Sequence, residues 1–173
     1  MALSTNVKNF TAGSIVLADS GASNSMTLDF DQGEFKLGPL KSIMNVVTPY
    51  ERRGRFKSAA YGEREYPAGS FTSMVAQFTD ASASVVTDFV LKRNNFSGNV
   101  STLGTGTKTP YAIDITFNLE GTDTADSVDH TFVCHDCIVT MDEFAEGDPD
   151  TVSFSFIVLG EIASDLAVDE LPA

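Results

Sequence analysis

The chain has 173 residues, 42% of them hydrophobic and 20% charged, enough apolar material for one ordinary core, which excludes wholesale disorder, collagen-like repeats and coiled coil. Its formal net charge of -13 is unevenly placed: residues 1 to 120 hold 11 Lys and Arg against 11 Asp and Glu, whereas residues 121 to 173 hold 13 acids and no Lys or Arg. Such an acidic segment repels phosphate and releases no counterions, which excludes tight nucleic-acid binding by that part of the chain.

Met1 to Lys8 lead into no apolar stretch of signal-peptide length, and nowhere do roughly 18 apolar residues run together, so a cytoplasmic start and no membrane insertion are expected. Ser14 to Ala18 reads as a first strand. Met26-Thr27-Leu28-Asp29-Phe30-Asp31 alternates, Gln32-Gly33 reads as a turn and Glu34-Phe35-Lys36-Leu37 resumes the alternation, which predicts a hairpin. Gly38 to Lys57 mixes polar and apolar residues around Pro39, Pro49 and Gly54 and predicts a long connection ending in an Arg53-Gly54 turn. Strands follow at Arg55 to Tyr61 and Phe71 to Phe78.

Ser82 to Arg93 breaks the period of two. Val85, Val86, Phe89 and Val90 share one helical face, Asp80 or Ser82 can cap the start, Lys92 and Arg93 suit the negative end of the dipole, and Asn94-Asn95 stop the helix. Tyr111 to Glu120 has an apolar residue at every odd position and a small or polar one at every even position, the pattern of a strand with one wet face. Further strands are expected at Val128 to Met141 and Val152 to Leu159, and an acidic, aromatic-free tail after Gly160. The chain thus reads as mainly β, a single domain over residues 1–160 followed by the tail 161–173. A β-sandwich or barrel with one flanking α-helix and a long inter-strand loop is expected, its core packed by many of the 13 Phe.

The chemistry-bearing motifs are few. Cys134-His135-Asp136-Cys137, with His130 upstream, invites a zinc reading. On a continuous strand, however, Cys134 and Cys137 point to opposite faces, and no Gly or Pro between Val128 and Met141 offers a turn. Structural cysteines and no metal or cofactor are expected. Only two His are present, with no nucleophile elbow; Asp29/Asp31 and Asp142/Glu143 lie on strands or turns; Gly104 to Thr109 lacks the phosphate-loop spacing and its helix. No enzyme is expected. Arg52, Arg53, Arg55 and Lys57 cluster around the Arg53-Gly54 turn. A solvated hairpin tip is one reading; the other is head-to-tail contact with the acidic third of an identical copy, which closes into rings or runs on as filaments.

The hairpin over Asn24 to Leu37, the insertion with a basic tip over Gly38 to Lys57, the strand Pro67-Ala68-Gly69-Ser70-Phe71-Thr72, the helix, the strand Tyr111 to Glu120 and the ending Glu146-Gly147-Asp148-Pro149-Asp150-Thr151-Val152-Ser153-Phe154 come in an order that resembles the major tail tube proteins of long, non-contractile-tailed bacteriophages (siphophages). The tubes of type VI secretion systems and contractile tails are similar in architecture. The resemblance implies six copies per ring and stacked rings that form a conduit for viral DNA, in a virion tail made in the host bacterial cytoplasm. Tape measure, terminator and distal tail proteins would be its partners. If about four strands from each subunit line the bore, roughly 24 strands at about 4.8 Å give a backbone diameter of about 37 Å, and about 25 Å inside the side chains, enough for duplex DNA. Asp29, Asp31, Asp114, Thr116, Asn118 and Glu120 are then expected to face the lumen, where carboxylates repel phosphate, and Arg52, Arg53, Arg55 and Lys57 to meet another subunit or ring. A non-enzymatic β-sandwich binding or capsid-decoration module is the alternative, which surface aromatics gathered on one face would favour; Tyr50, Tyr61, Tyr66 and Tyr111 are scattered along the sequence.

Overall fold

Alternation fixes which side of each strand is dry, and strand pairing follows from it. The computed structural model describes residues 13–20, 24–29, 35–38, 45–74, 85–119, 129–147 and 150–164. They form β1 (Gly13–Ala18), β2 (Ser25–Asp29), β3 (Lys36–Gly38), β4 (Asn45–Arg52), β5 (Arg55–Arg64), β6 (Ala68–Met74), α1 (Val86–Leu91), a 3-10 turn (Asn94–Phe96), β7 (Ile113–Leu119), β8 (His130–Ala145), β9 (Thr151–Val158) and β10 (Ile162–Ser164). One antiparallel sheet runs β2-β1-β7-β8-β9-β6-β3, with β10 also on β8, and β4-β5 form a separate ribbon. The fold is mainly β, of the sandwich or barrel class, with one short helix.

The sheet curls. In a flat sheet β3 and β7 would be four strands and about 19 Å apart. Phe35, which leads into β3, instead stacks on Phe117 of β7 with 4.0 Å between ring centroids and lies 5.9 Å from Phe156 of β9. The curl closes around Ile15 and Leu17 of β1, Met26 and Leu28 of β2, Ile113, Ile115, Phe117 and Leu119 of β7, Phe71 of β6, and Val152, Phe154, Phe156 and Val158 of β9. Phe71 and Phe154 stack at 5.0 Å. α1 adds Val86, Phe89 and Val90 to the same core. Its far end is tied down by a buried amide: Asn99 accepts from Asn24 Nδ2 at 2.9 Å and donates to the Tyr111 hydroxyl at 2.9 Å. Burial raises the Tyr111 pKa above its usual value.

Several expectations are corrected. The hairpin over Met26 to Leu37 is not the pairing adopted, because β2 pairs with β1 and sets Leu28 and Met26 opposite Ile15 and Leu17, while β3 pairs with β6. Burial of four apolar side chains on one face selects β1 over a short local partner; the Gln32-Gly33 turn lies outside the described residues. The long inter-strand connection is, from Asn45 onward, a strand of the β4–β5 ribbon, and β5 extends to Arg64. Its Arg53-Gly54 turn has φ of 54° and 69°, the primed geometry that matches strand twist. Of the strand expected over Phe71 to Phe78, the part described is β6, which ends at Met74. The helix starts after Val85 without a side-chain cap and closes on Lys92 in the left-handed region, so Lys92 and Arg93 lie beyond its last turn; Asp80 and Ser82 lie outside the described residues. Ile162–Ser164, at the start of the expected tail, pair with β8.

The cysteines are the largest correction. β8 is bulged at Asp136, which has φ 56°, and its register against β7 shifts between Ile113, opposite Cys137, and Ile115, opposite Cys134. One extra residue resets the alternation, so Cys134 and Cys137 both turn into the core instead of pointing to opposite faces.

The two environments of phenylalanine give a direct test of this core. Phe154→Ala, at a position with 0% exposure, is expected to cost about 3–5 kcal/mol in urea unfolding, whereas Phe56→Ala, on the ribbon at 66% exposure, should change stability by less than about 0.5 kcal/mol.

Candidate assembly surfaces

β7 realises its sequence pattern from Ile113 to Leu119: Ile113, Ile115, Phe117 and Leu119 are buried, and Asp114, Thr116 and Asn118 lie half-buried on the outward side. The registers extend that outward face over its neighbours. Thr27 of β2, Val16 of β1, Thr116 of β7 and Val133 of β8 form one row, and Ser14, Asn118 and Thr131 form the next. Asn118 Nδ2 donates to Ser14 Oγ at 3.0 Å. Among the residues named, the face mixes small polar side chains with Val16 and Val133 and is free of Lys and Arg. Asp29 sits opposite Ser14 in β2, with its side chain outside the described residues, as are Asp31 and Glu120.

Asp114 does more than face outward. Its Oδ1 accepts the Asp136 N–H at 3.0 Å and its Oδ2 pairs with His135 Nδ1 at 3.0 Å, so the carboxylate bridges β7 to the bulge of β8. Across the bulge, Gly160 packs so closely that a Cβ there would meet Asp136 Oδ2 and the His135 carbonyl oxygen at 2.8 Å. The sequence contained a signal for this arrangement that the strand pattern hid: Asp is among the few residues that tolerate positive φ.

The β4–β5 ribbon is the second surface. Every residue of β5 is exposed, and the ribbon makes no substantial contact with another described element. Its register pairs Val47 with Tyr61, Pro49 with Ala59 and Glu51 with Phe56, after a shift that leaves Lys57 as the extra residue. One face therefore carries Val47, Pro49, Glu51, Phe56, Ala59 and Tyr61. The other carries Thr48, Tyr50, Ser58, Ala60, Arg52 and Arg55. Val47, Tyr50, Phe56 and Tyr61 are among the most exposed large apolar or aromatic side chains. Arg52, Arg53, Arg55 and Lys57, expected at a tip, are at the tip.

The third cluster is chemically quiet. Cys134 and Cys137 are free and buried, and Cys137 Sγ donates to the Cys134 carbonyl oxygen at 3.3 Å. A side-chain hydrogen bond with Cys134 and burial push the Cys137 thiol far above the ordinary range. Among the described residues no three His, Cys, Asp or Glu gather as a metal site, and no helix is long and apolar enough to cross a membrane.

A curled antiparallel sheet with a small-residue outer face, one packed helix and a projecting ribbon defines the class of fold. Its likeness among solved structures is to the sheath/tube terminator of an extracellular contractile injection system, PVC, in the extended state: TM-score 0.54, 10% identity, covering 95% of this chain and 99% of that one. Two others are similar at a TM-score of 0.49: the sheath-tube complex of an extracellular contractile injection system, PVC (10% identity, 88% of each chain), and the anti-feeding prophage (AFP) baseplate (11% identity, 95% of this chain and 97% of that one). At such identities the terminator likeness is one of fold. No protein-family model and no curated protein sequence matches the chain.

Two measurements check the bulge. Asp114→Ala strands the Asp136 N–H and is expected to lower stability by about 1–3 kcal/mol, with Asp114→Asn losing less. In native protein at pH 8 neither cysteine should react with a thiol reagent within the time that both react fully in denaturant.

Proposed function

We propose that the chain is a structural subunit of a phage-like tail tube, which assembles with copies of itself into hexameric rings and stacks those rings into a conduit for viral DNA, in a virion tail built with tape measure, terminator and distal tail proteins. The observation that carries the reading is the pairing of two surfaces on one chain. The outward face of β1, β7 and the first half of β8 carries small side chains, with no Lys or Arg among its named residues. The ribbon exposes both of its faces and makes no substantial contact with another described element. A bore lined by Asp114, Thr116 and Asn118, joined by Asp29, Asp31 and Glu120, repels phosphate and lets a duplex slide. A ribbon exposed on both faces has a purpose when a second copy covers it, since isolated two-stranded ribbons are at best marginally stable in water. The fold likeness to a sheath/tube terminator supports the same reading.

Light scattering and electron microscopy of concentrated protein provide the test. Rings or tubes with an open bore are expected. A persistent 18.5 kDa monomer overturns self-assembly and favours a decoration module, and duplex DNA retained by assembled rings at about 0.15 M salt overturns the sliding bore.

A further inference from the structure

We infer that the acidic C-terminal segment of one copy, residues 165–173, docks on the basic, carboxylate-free surface that Leu91 to Lys108 form at the opposite end of the sheet in a second copy. This rests on the self-assembly reading and names a contact that joins copies end to end.

The two partners are complementary in charge and alike in apolar content. From Phe89 to Ile113 the chain has Lys92, Arg93 and Lys108 and no acid; from Asp165 to Ala173 it has Asp165, Asp169 and Glu170 and no base. All three basic residues are exposed. Lys92 lies over the Tyr111 ring, 5.7 Å from its centroid, and none of the three forms an ion pair with another described residue. The carboxylates of Asp19 and Asp88, which adjoin this surface, are buried and engaged: Asp19 accepts the Val100 N–H at 3.0 Å and Asp88 accepts from the Asn94 amide at 2.7 Å. Leu91, Val100 and Leu103, between 36% and 41% exposed, add apolar area, and the acidic segment supplies Leu166, Val168 and Leu171.

The topology sets the two at opposite ends of the sheet. β1 pairs with β7 from Gly13, opposite Leu119, to Ala18, opposite Asp114. The basic surface is fastened at the Ala18 end: the Ser20 N–H donates to the Val100 carbonyl at 3.1 Å, and the Thr102 N–H donates at 3.0 Å to the carbonyl of Ala112, which leads into β7. β10 runs the other way, from Ile162 opposite Cys134 to Ser164 opposite Phe132, and so is directed at the Gly13 end, where His130 of β8 pairs with Leu119. A segment that continues in the direction of β10 leaves its own basic surface behind and meets that of a copy placed beyond the Gly13 end. Opposite charges orient the encounter, and burial of apolar side chains holds it. Because segment and surface are different parts of one chain, the contact is heterologous and repeats from copy to copy.

The experiment compares a surface variant, Arg93→Glu/Lys108→Glu, a tail variant, Asp169→Lys/Glu170→Lys, and a chain with all four substitutions, each full-length and checked for folding by thermal unfolding. Lys92 is left in place because it closes α1 in the left-handed region and lies over Tyr111. Sedimentation and electron microscopy should find that the surface and tail variants alone each need at least about fivefold more protein to assemble than the unaltered chain. Their equimolar mixture and the four-substitution chain should both assemble normally, because each tail then meets a surface of opposite charge. A chain ending at Ser164, which leaves every described residue unaltered, should show the same loss as the tail variant. Normal assembly by that shortened chain, or rescue in the four-substitution chain but not in the mixture, which would place the contact within one copy, overturns the inference while leaving self-assembly intact. If the unaltered chain never assembles, both fall. Retention of duplex DNA by the unaltered chain and by the tail variant, lost only in the surface variant, would assign the surface to nucleic acid and overturn the inference as well.

Discussion

At Asp136 the sixteen-residue strand β8 takes up a left-handed residue, and the backbone N–H at that point is caught by Asp114 of the neighbouring strand at 3.0 Å. A strand this long cannot run straight through a curled sheet, since its two halves have different partners: β7 and β10 flank the first half, β9 flanks the second. The bulge turns one half against the other, and Gly160 leaves room for it where β9 passes into β10. The carboxylate holding the turn is the same group that faces outward from β7, so the shape of the outer face and the bend of the sheet depend on one side chain.

The core draws on both halves of β8: Cys134 and Cys137 enter it at the bulge, and Val139 packs against it opposite Phe156 of β9. The ribbon, by contrast, is exposed along β5 and carries Arg52, Arg53, Arg55 and Lys57 at its tip.

Much of the fold was legible one strand at a time. Ile113 to Leu119 alternates because both of its faces have settled environments, one dry and one wet, and β9 does the same from Val152 to Phe156. The basic turn at Arg53-Gly54 was legible because only a primed turn places two residues at positive φ between paired strands. The hairpin over Met26 to Leu37 misled because alternation names the dry face of a strand without naming the strand beside it. Cys134 and Cys137 misled for a related reason: a single bulge shifts every later residue to the other face, and a tolerant residue such as Asp gives it no Gly or Pro to announce it.

By itself the sequence determined the class of fold, the inward residues of the regular strands, the segregation of charge and the absence of any recognisable catalytic motif, since these depend on neighbours in the chain and on composition. The order of strands in the sheet, the curl that brings Phe35 onto Phe117, the burial of both cysteines and the role of Asp114 at the bulge were decided only in three dimensions. Those features arise from contacts between residues far apart in the chain, whose energies compete with one another, and local pattern carries no record of which pairing wins.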